Sequence, residues 1–222
     1  MTCDGLTVTI YDRIWNENKQ PQYCSRRSDW NPPRKTVSTG RNEEPGDDRM
    51  IIKKATLAEY PDVRAFYHSL IDGIADRPYG AGWKKDIYPA PGFLMAAIRA
   101  GELYIGSEDE TIIASMVLNH ECNEGYLEFN WPTKAEEEEV TVIHALGVHP
   151  SRSGKGYARQ LVQFAIQTAR NNRQKVIRLD VLKGNLPAEN LYSSMGFSLL
   201  HTLPMYYDDT GWTEYELYEY VL

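Results

Sequence analysis

The stretch Thr141–Ala158, TVIHALGVHPSRSGKGYA, constrains this chain most, because its apolar period changes from two to 3.6 across a glycine-bearing turn. Val142, His144, Leu146 and Val148 fall on one face at period two, with Ile143, Ala145 and Gly147 on the other. Pro150 ends the strand, having no N–H to give a ladder. Gly154 and Gly156 let the backbone turn sharply and come close to a ligand. A helical stripe follows over Tyr157–Arg173, through Ala158, Leu161, Val162, Ala165 and Ala169. A loop of free N–H groups opening onto a helix N-terminus is a phosphate site in waiting. The plain alternative is a turn that uses glycine for geometry alone.

Two glycine-rich fingerprints fail here. A P-loop needs Gly, four residues, then Gly-Lys-Ser/Thr, but Gly154-Lys155 is followed by Gly156 and His149 stands where the first glycine belongs. A dinucleotide fingerprint needs a third glycine, and that position is Arg159. The longer run is more specific: V-x-P-x-x-x-G-x-G-x-A-x-x-L, then RLDV, then N-x-P-A-x-N-L-Y-x-x-M-G-F. Over Thr141–Phe197 it resembles the GNAT superfamily of N-acetyltransferases. Val148, Pro150, Gly154, Gly156, Ala158 and Leu161 match the acetyl-CoA loop and helix of that family. Asn185, Ala188, Leu191, Tyr192, Gly196 and Phe197 match its second motif. The family usually has Arg or Gln where Ser153 stands, and Arg152 next door is the substitute for that contact.

The resemblance implies a mixed α/β fold: a mostly antiparallel sheet with a central splayed parallel pair and helices on both faces. It also implies acetyl-CoA as acyl donor, with no metal. Leu146, Gly147 and Val148, the loop from Arg152 and Ser153 through Gly154, Lys155, Gly156, Tyr157 and Ala158, and then Asn185 and Tyr192, would bind it.

Charge supports the same segment. The net charge of −7 makes the whole protein a poor partner for nucleic acid or an anionic membrane. Yet residues 150–185 hold eight basic side chains against Asp180 alone, whereas residues 50–149 hold eight basic and sixteen acidic ones. Coenzyme A carries a pyrophosphate and a 3′-phosphate, which a positive segment would receive. Arg152, Lys155 and Arg159 are assigned to that ligand, and Arg170, Arg173 and Lys175 to a helix C-terminus. The three cysteines, Cys3, Cys24 and Cys122, suit neither a disulfide framework nor a zinc site. With no apolar run long enough to span a bilayer, the expected compartment is reducing cytoplasm.

Residues 1–49 read as a tail, because prolines among polar residues bury too little to offset ordering entropy. The functional domain is expected over 50–222, with Met50 a candidate translation start. A strand at Met50–Ala55 precedes a helix capped by Thr56 and Glu59, and a second helix spans Pro91–Ala100 before Gly101. Leu103–Ser107 and Thr111–Leu118 form a hairpin, Tyr126–Trp131 a further strand, and Lys134–Glu139 a solvated loop. Val176–Leu182 is a strand, Pro187 sits in a helix first turn, and Phe197–Tyr207 with Trp212–Val221 make a last hairpin.

An alkylammonium, with pKa about 10, must lose a proton before it can attack a thioester. The site therefore needs a base, an oxyanion stabiliser and a proton donor for the thiolate. His144 is the first candidate base; the run I-H-A-L-G-V-H resembles that of aralkylamine acetyltransferases, and the alternative is a core histidine satisfied by a carbonyl. Glu128, acting through water, is the second. By the family motif Tyr192 is the acid. Trp83, Tyr88, Tyr126, Trp131 and Asp180 are expected around the acceptor, although Asp180 also reads as a partner for Arg178. The expected acceptor is a small cationic amine or amino acid, with a protein N-terminus or lysine second. A non-catalytic acyl-CoA-binding module is the rival class, and a homodimer is one assembly open to the domain.

Overall fold

In a computed structural model of the protein, residues 50–77 and 80–222 are described. The expected tail over 1–49 lies outside the described residues. The chain runs β1 (Ile51–Lys54), α1 (Tyr60–Ile74), α2 (Pro91–Ala100), β2 (Leu103–Glu108), β3 (Thr111–Asn119) and a single-turn α3 (Gly125–Glu128). It continues with β4 (Val140–Val148), α4 (Tyr157–Asn171), β5 (Val176–Leu182), α5 (Leu186–Ser194), β6 (Ser198–Tyr207) and β7 (Gly211–Val221). The seven strands form one sheet in the order β1-β2-β3-β4-β5-β7-β6. Every pairing is antiparallel except β4 with β5.

Local chemistry explains most of these boundaries. The Thr56–Glu59 capping box forms, with Glu59 accepting from the Thr56 N–H at 2.9 Å. Gly101 ends α2 in the left-handed region, where a side chain would be strained. On one side of the sheet, Leu161, Val162, Ala165 and Ala169 of α4 pack with Met116, Ile143, Ile177 and Leu179, all fully or nearly fully buried. On the other, Val63, Phe66, Tyr67 and Leu70 of α1 pack with Leu94, Ile105, Val117 and Ala145. A third cluster joins Tyr126 and Trp131 to Val142, Val176, Met205 and Leu217.

Two expectations about local structure are corrected. Tyr126–Trp131 is not a strand. The Asn123 side chain accepts the Gly125 N–H at 3.0 Å and starts the turn of α3, and the Trp131 indole then donates to the Tyr126 carbonyl at 2.8 Å, folding the segment on itself. Nor does β4 keep one period along its length. His144 stands opposite Val117 and Gly147 opposite Ser115, so Ala145 and Leu146 together face Met116. This is a β-bulge, with Ala145 at φ 48°. It leaves Val142 in the third cluster and His144 against Phe93 of α2, but puts Leu146 and Val148 in the α4 cluster, where strict alternation would have kept all four together. The Lys134–Glu139 run contains a 3-10 turn at Glu137–Glu139 within its exposed loop.

Candidate active site

The bulge and the splay of two strands make the site. β4 and β5 pair only over Val140–Val142 with Val176–Arg178 and then part. A cavity of about 500 Å³ opens where the ladder stops. It runs through the gap in the sheet. Leu146, Val148, Ala158, Ala188 and Leu191 line it on the α4–α5 side, and Leu70, Trp83 and Tyr88 on the α1 side. Gly147 lets α1 come this close, because a Cβ there would lie 2.6 Å from Leu70 Cδ1.

The glycine loop stands at the α4 end. Gly154 and Gly156 have φ of 81° and 79°, and a Cβ on either would meet nothing within 4 Å. The loop therefore turns as a glycine loop must and leaves open space beside its backbone, at the N-terminus of a 15-residue helix. Ser153 and Lys155 are exposed. Arg152 is engaged, 3.2 Å from Glu108, and Arg159 donates to Ser194 Oγ at 2.9 Å. The Tyr157 side chain is buried in the core, so only its backbone faces the loop's open side. Of the expected helix-terminal cations, Arg170 donates to the Tyr220 hydroxyl and Lys175 pairs with Glu139.

His144 lines the cavity with its ring edge-on to Phe93. Its Nε2 lies 3.0 Å from the Glu121 carbonyl. A carbonyl only accepts, so Nε2 carries the hydrogen and Nδ1 the lone pair. Burial lowers its pKa to about 4, against a smaller opposing effect of that hydrogen bond, so the ring is neutral at pH 7. Tyr192 also lines the cavity and is 6 % exposed. Burial first, and the Asp180 field second, raise its pKa, so the phenol stays protonated.

Asp180 does not pair with Arg178, as expected from their shared strand face. Arg178 instead lies 3.0 Å from Glu219 on β7, donates to the Thr133 carbonyl and stacks over the Trp131 ring at 4.1 Å. Asp180 lines the cavity, and its Oδ1 accepts from the Tyr126 hydroxyl at 2.8 Å and the Tyr207 hydroxyl at 3.0 Å. Desolvation raises its pKa, with the two phenols opposing. Tyr126 thus stands behind the cavity wall, and Trp131 behind Tyr126; neither lines it. Glu128 is exposed on α3 and is absent from the lining, because the strand that would have aimed it inward is a helical turn. Conversely, Tyr207, Asp209 and Tyr215 do line the cavity and escaped the sequence reading. Their only signal is a hairpin tip, YYDDTGWTEY, unusually rich in acids and aromatics.

Comparison with known proteins agrees with this geometry. The model of the acetyltransferase (GNAT) family matches residues 69–197, more than half of the chain, and the chain belongs to that family. A streptothricin acetyltransferase of Escherichia coli is 36 % identical over 77 residues, 34 % of this chain and 41 % of that protein. The chain thus spans less than half the length of the curated relatives it matches. Among solved structures, a GNAT-family acetyltransferase from Streptococcus agalactiae superposes with a TM-score of 0.65 at 18 % identity, covering 78 % of this chain and 95 % of that one. An acetyltransferase from Salmonella typhimurium, solved with its cofactor acetyl-CoA, has a TM-score of 0.58 at 17 % identity, covering 78 % and 94 %. At these identities the two structures establish the fold.

Proposed function

We propose that the protein is an N-acetyltransferase that moves the acetyl group of acetyl-CoA to a primary amine by direct attack. The observation that carries this reading is one cavity threading the β4–β5 gap, with a glycine loop at one mouth and an aromatic, acidic chamber at the other. Bound acetyl-CoA would supply an activated thioester. The N–H groups of the loop and of the first turn of α4 would hold its phosphates, with Lys155 adding charge. Asn185 and the β4 backbone past the bulge would hold its pantetheine arm. Because β5 parts from β4 after Val142, the later β4 amides on that side have no strand partner, and those near Leu146 and Val148 would be donors for the thioester oxygen.

His144 and Tyr192 divide the proton work. A base with pKa about 4 does not hold the proton of a free ammonium near 10. The amine is neutral when it attacks, and His144 Nδ1 takes the proton released as the C–N bond forms. Tyr192, protonated until then, gives its proton to the sulfur as the C–S bond breaks, and regains one by way of solvent as His144 releases the proton it took. A small amine fits a chamber walled by Trp83, Tyr88 and Tyr207.

The test is thermal unfolding with acetyl-CoA, CoA, ATP and NAD in turn, followed by thiol release with an amine panel. Ligand at a hundred times its dissociation constant adds about 2.7 kcal/mol, a midpoint rise of roughly 5–10 °C for a domain of this size. A rise with acetyl-CoA and CoA alone is expected. A rise without thiol release is the signature of a non-catalytic acyl-CoA-binding module. Turnover of peptides but of no small amine would move the acceptor to a protein N-terminus or lysine.

A further inference from the structure

Among the described residues, the acceptor chamber holds two carboxylates and no cation paired with either. Asp180 comes from β5, at the divergence from β4, and Asp209 from the turn between β6 and β7. Both line the cavity, and Asp209 is 4 % exposed. Among the described residues no ion pair reaches either one. Phenols hold Asp180 on one oxygen, Oδ1. Exposed Lys84 attracts Asp209 only from a distance, and Arg77, the one arginine of the lining, stands exposed.

The two acids share one chamber. Tyr207 donates to Asp180, lies two residues before Asp209, and packs on both Tyr88 and Tyr215, with ring centroids 6.2 and 4.8 Å away. Tyr88 and Tyr215 each feel the field of both carboxylates. Thr210, next to Asp209, bonds the Tyr215 hydroxyl at 2.8 Å, and its methyl would lie 2.6 Å from a Cβ on Gly82. The turn is thus packed against the loop that carries Trp83 and Tyr88.

Carboxylates withdrawn from water without a cation are costly, and aromatic faces around them favour a cation over any other occupant. The reacting nitrogen is neutral when it attacks, so it leaves these carboxylates without a cation during the transfer itself. Resting on the acetyltransferase reading above, we infer that the acceptor carries a second, non-reacting cationic nitrogen, which docks on Asp180 and Asp209 within the ring of Trp83, Tyr88, Tyr207 and Tyr215. The substrate class is a diamine, or an amine bearing a guanidinium, and not an amine bearing a carboxylate. A carboxylate in this chamber would face two like charges. In the transfer the acceptor's free amine gains the acetyl group and gives up one proton, CoA leaves as the thiol, and the second nitrogen keeps its proton and its charge.

The experiment measures kcat/KM by thiol release with the full chain and three matched series of three to six carbons: α,ω-diaminoalkanes, n-alkylamines and ω-amino carboxylates. The diamine of best length should exceed the monoamine of the same length at least tenfold, and the amino carboxylate by more. Asp209→Asn and Asp180→Asn should each lower the diamine-to-monoamine ratio at least tenfold, chiefly through KM for the diamine. The rise in melting midpoint with acetyl-CoA reports that each variant is folded. Equal use of diamines and monoamines, preference for the amino carboxylates, or acetylation of no amine in the panel by a protein that binds acetyl-CoA would overturn the inference. The last of these would overturn the small-amine reading as well and leave peptide acceptors to be assayed, whereas the first two would leave that reading standing. The comparison of substrates on the unaltered protein needs no variant at all.

Discussion

Two residues that line the cavity owe their chemistry to what surrounds them. His144 is neutral because burial disfavours its cation, and its tautomer is set by the Glu121 carbonyl. As pH falls from about 6.5 toward about 4, the unfolded chain takes up a proton that native His144 refuses. Stability is therefore lost over that window and unaffected by this group above it. His144→Gln should remove the loss, so that the advantage of the natural protein over the variant shrinks between pH 7 and 4.5 in urea unfolding. A constant difference would mean that the ring is not held neutral. Tyr192→Phe keeps the shape and deletes the hydroxyl. Its kcat should fall roughly 10²-fold or more, with the dissociation constant of acetyl-CoA little changed. A loss confined to cofactor binding would make Tyr192 a packing residue.

At the scale of elements, the site depends on close approach and on one buried ion pair. Gly147 brings β4 against α1, so Gly147→Val must displace Leu70 and should cost about 1–3 kcal/mol, read as a lower urea midpoint. Arg178 and Glu219 are 8 % and 3 % exposed and tie β5 to β7 beside the divergent pair. Glu219→Gln leaves the guanidinium buried without its countercharge, and a loss of about 3–5 kcal/mol is expected. A loss below 1 kcal/mol would show that Thr133 and Trp131 alone satisfy the arginine. The loop that brings Trp83 and Tyr88 over the cavity is fastened differently. Asp86 accepts two bonds from Arg64 and a third contact from His68, all on α1, and these hold its carboxyl at about 2. The bonds are exposed and contribute little to stability, but they fix the position of the aromatic wall.

The charge of the whole molecule is divided by function. Residues 150–185 are strongly basic and hold the glycine loop, while residues 50–149 and 186–222 are acidic and, with Asp180, line the other end of the cavity. CoA binding should therefore weaken several-fold as ionic strength rises from 20 to 500 mM, by titration calorimetry, and dephospho-CoA should show a shallower dependence. Much of this molecule was legible beforehand. Thr141–Phe197 carries the loop, the two helices and Tyr192 in one contiguous run, because backbone geometry at a phosphate site requires particular residues at fixed spacing. The seven strands followed, in chain order, from local periodicity and turn chemistry, which also pointed to a strand at Tyr126–Trp131 that folds as a helical turn instead. What only the tertiary structure decided are the long-range matters. The bulge at Ala145 arises from pairing with Met116 on another strand, and it splits a face that period two would have kept whole. Arg178 chose Glu219, 41 residues away, over its neighbour on the strand, since pairing of β5 with β7 put them side by side. Asp180 was thereby left for Tyr126 and Tyr207, and Asp209, an ordinary turn residue in the sequence, became part of a cavity wall. Local spacing specifies the elements and the cofactor loop. The acceptor chamber is assembled from four separate stretches of chain, and no local pattern records which of their side chains meet.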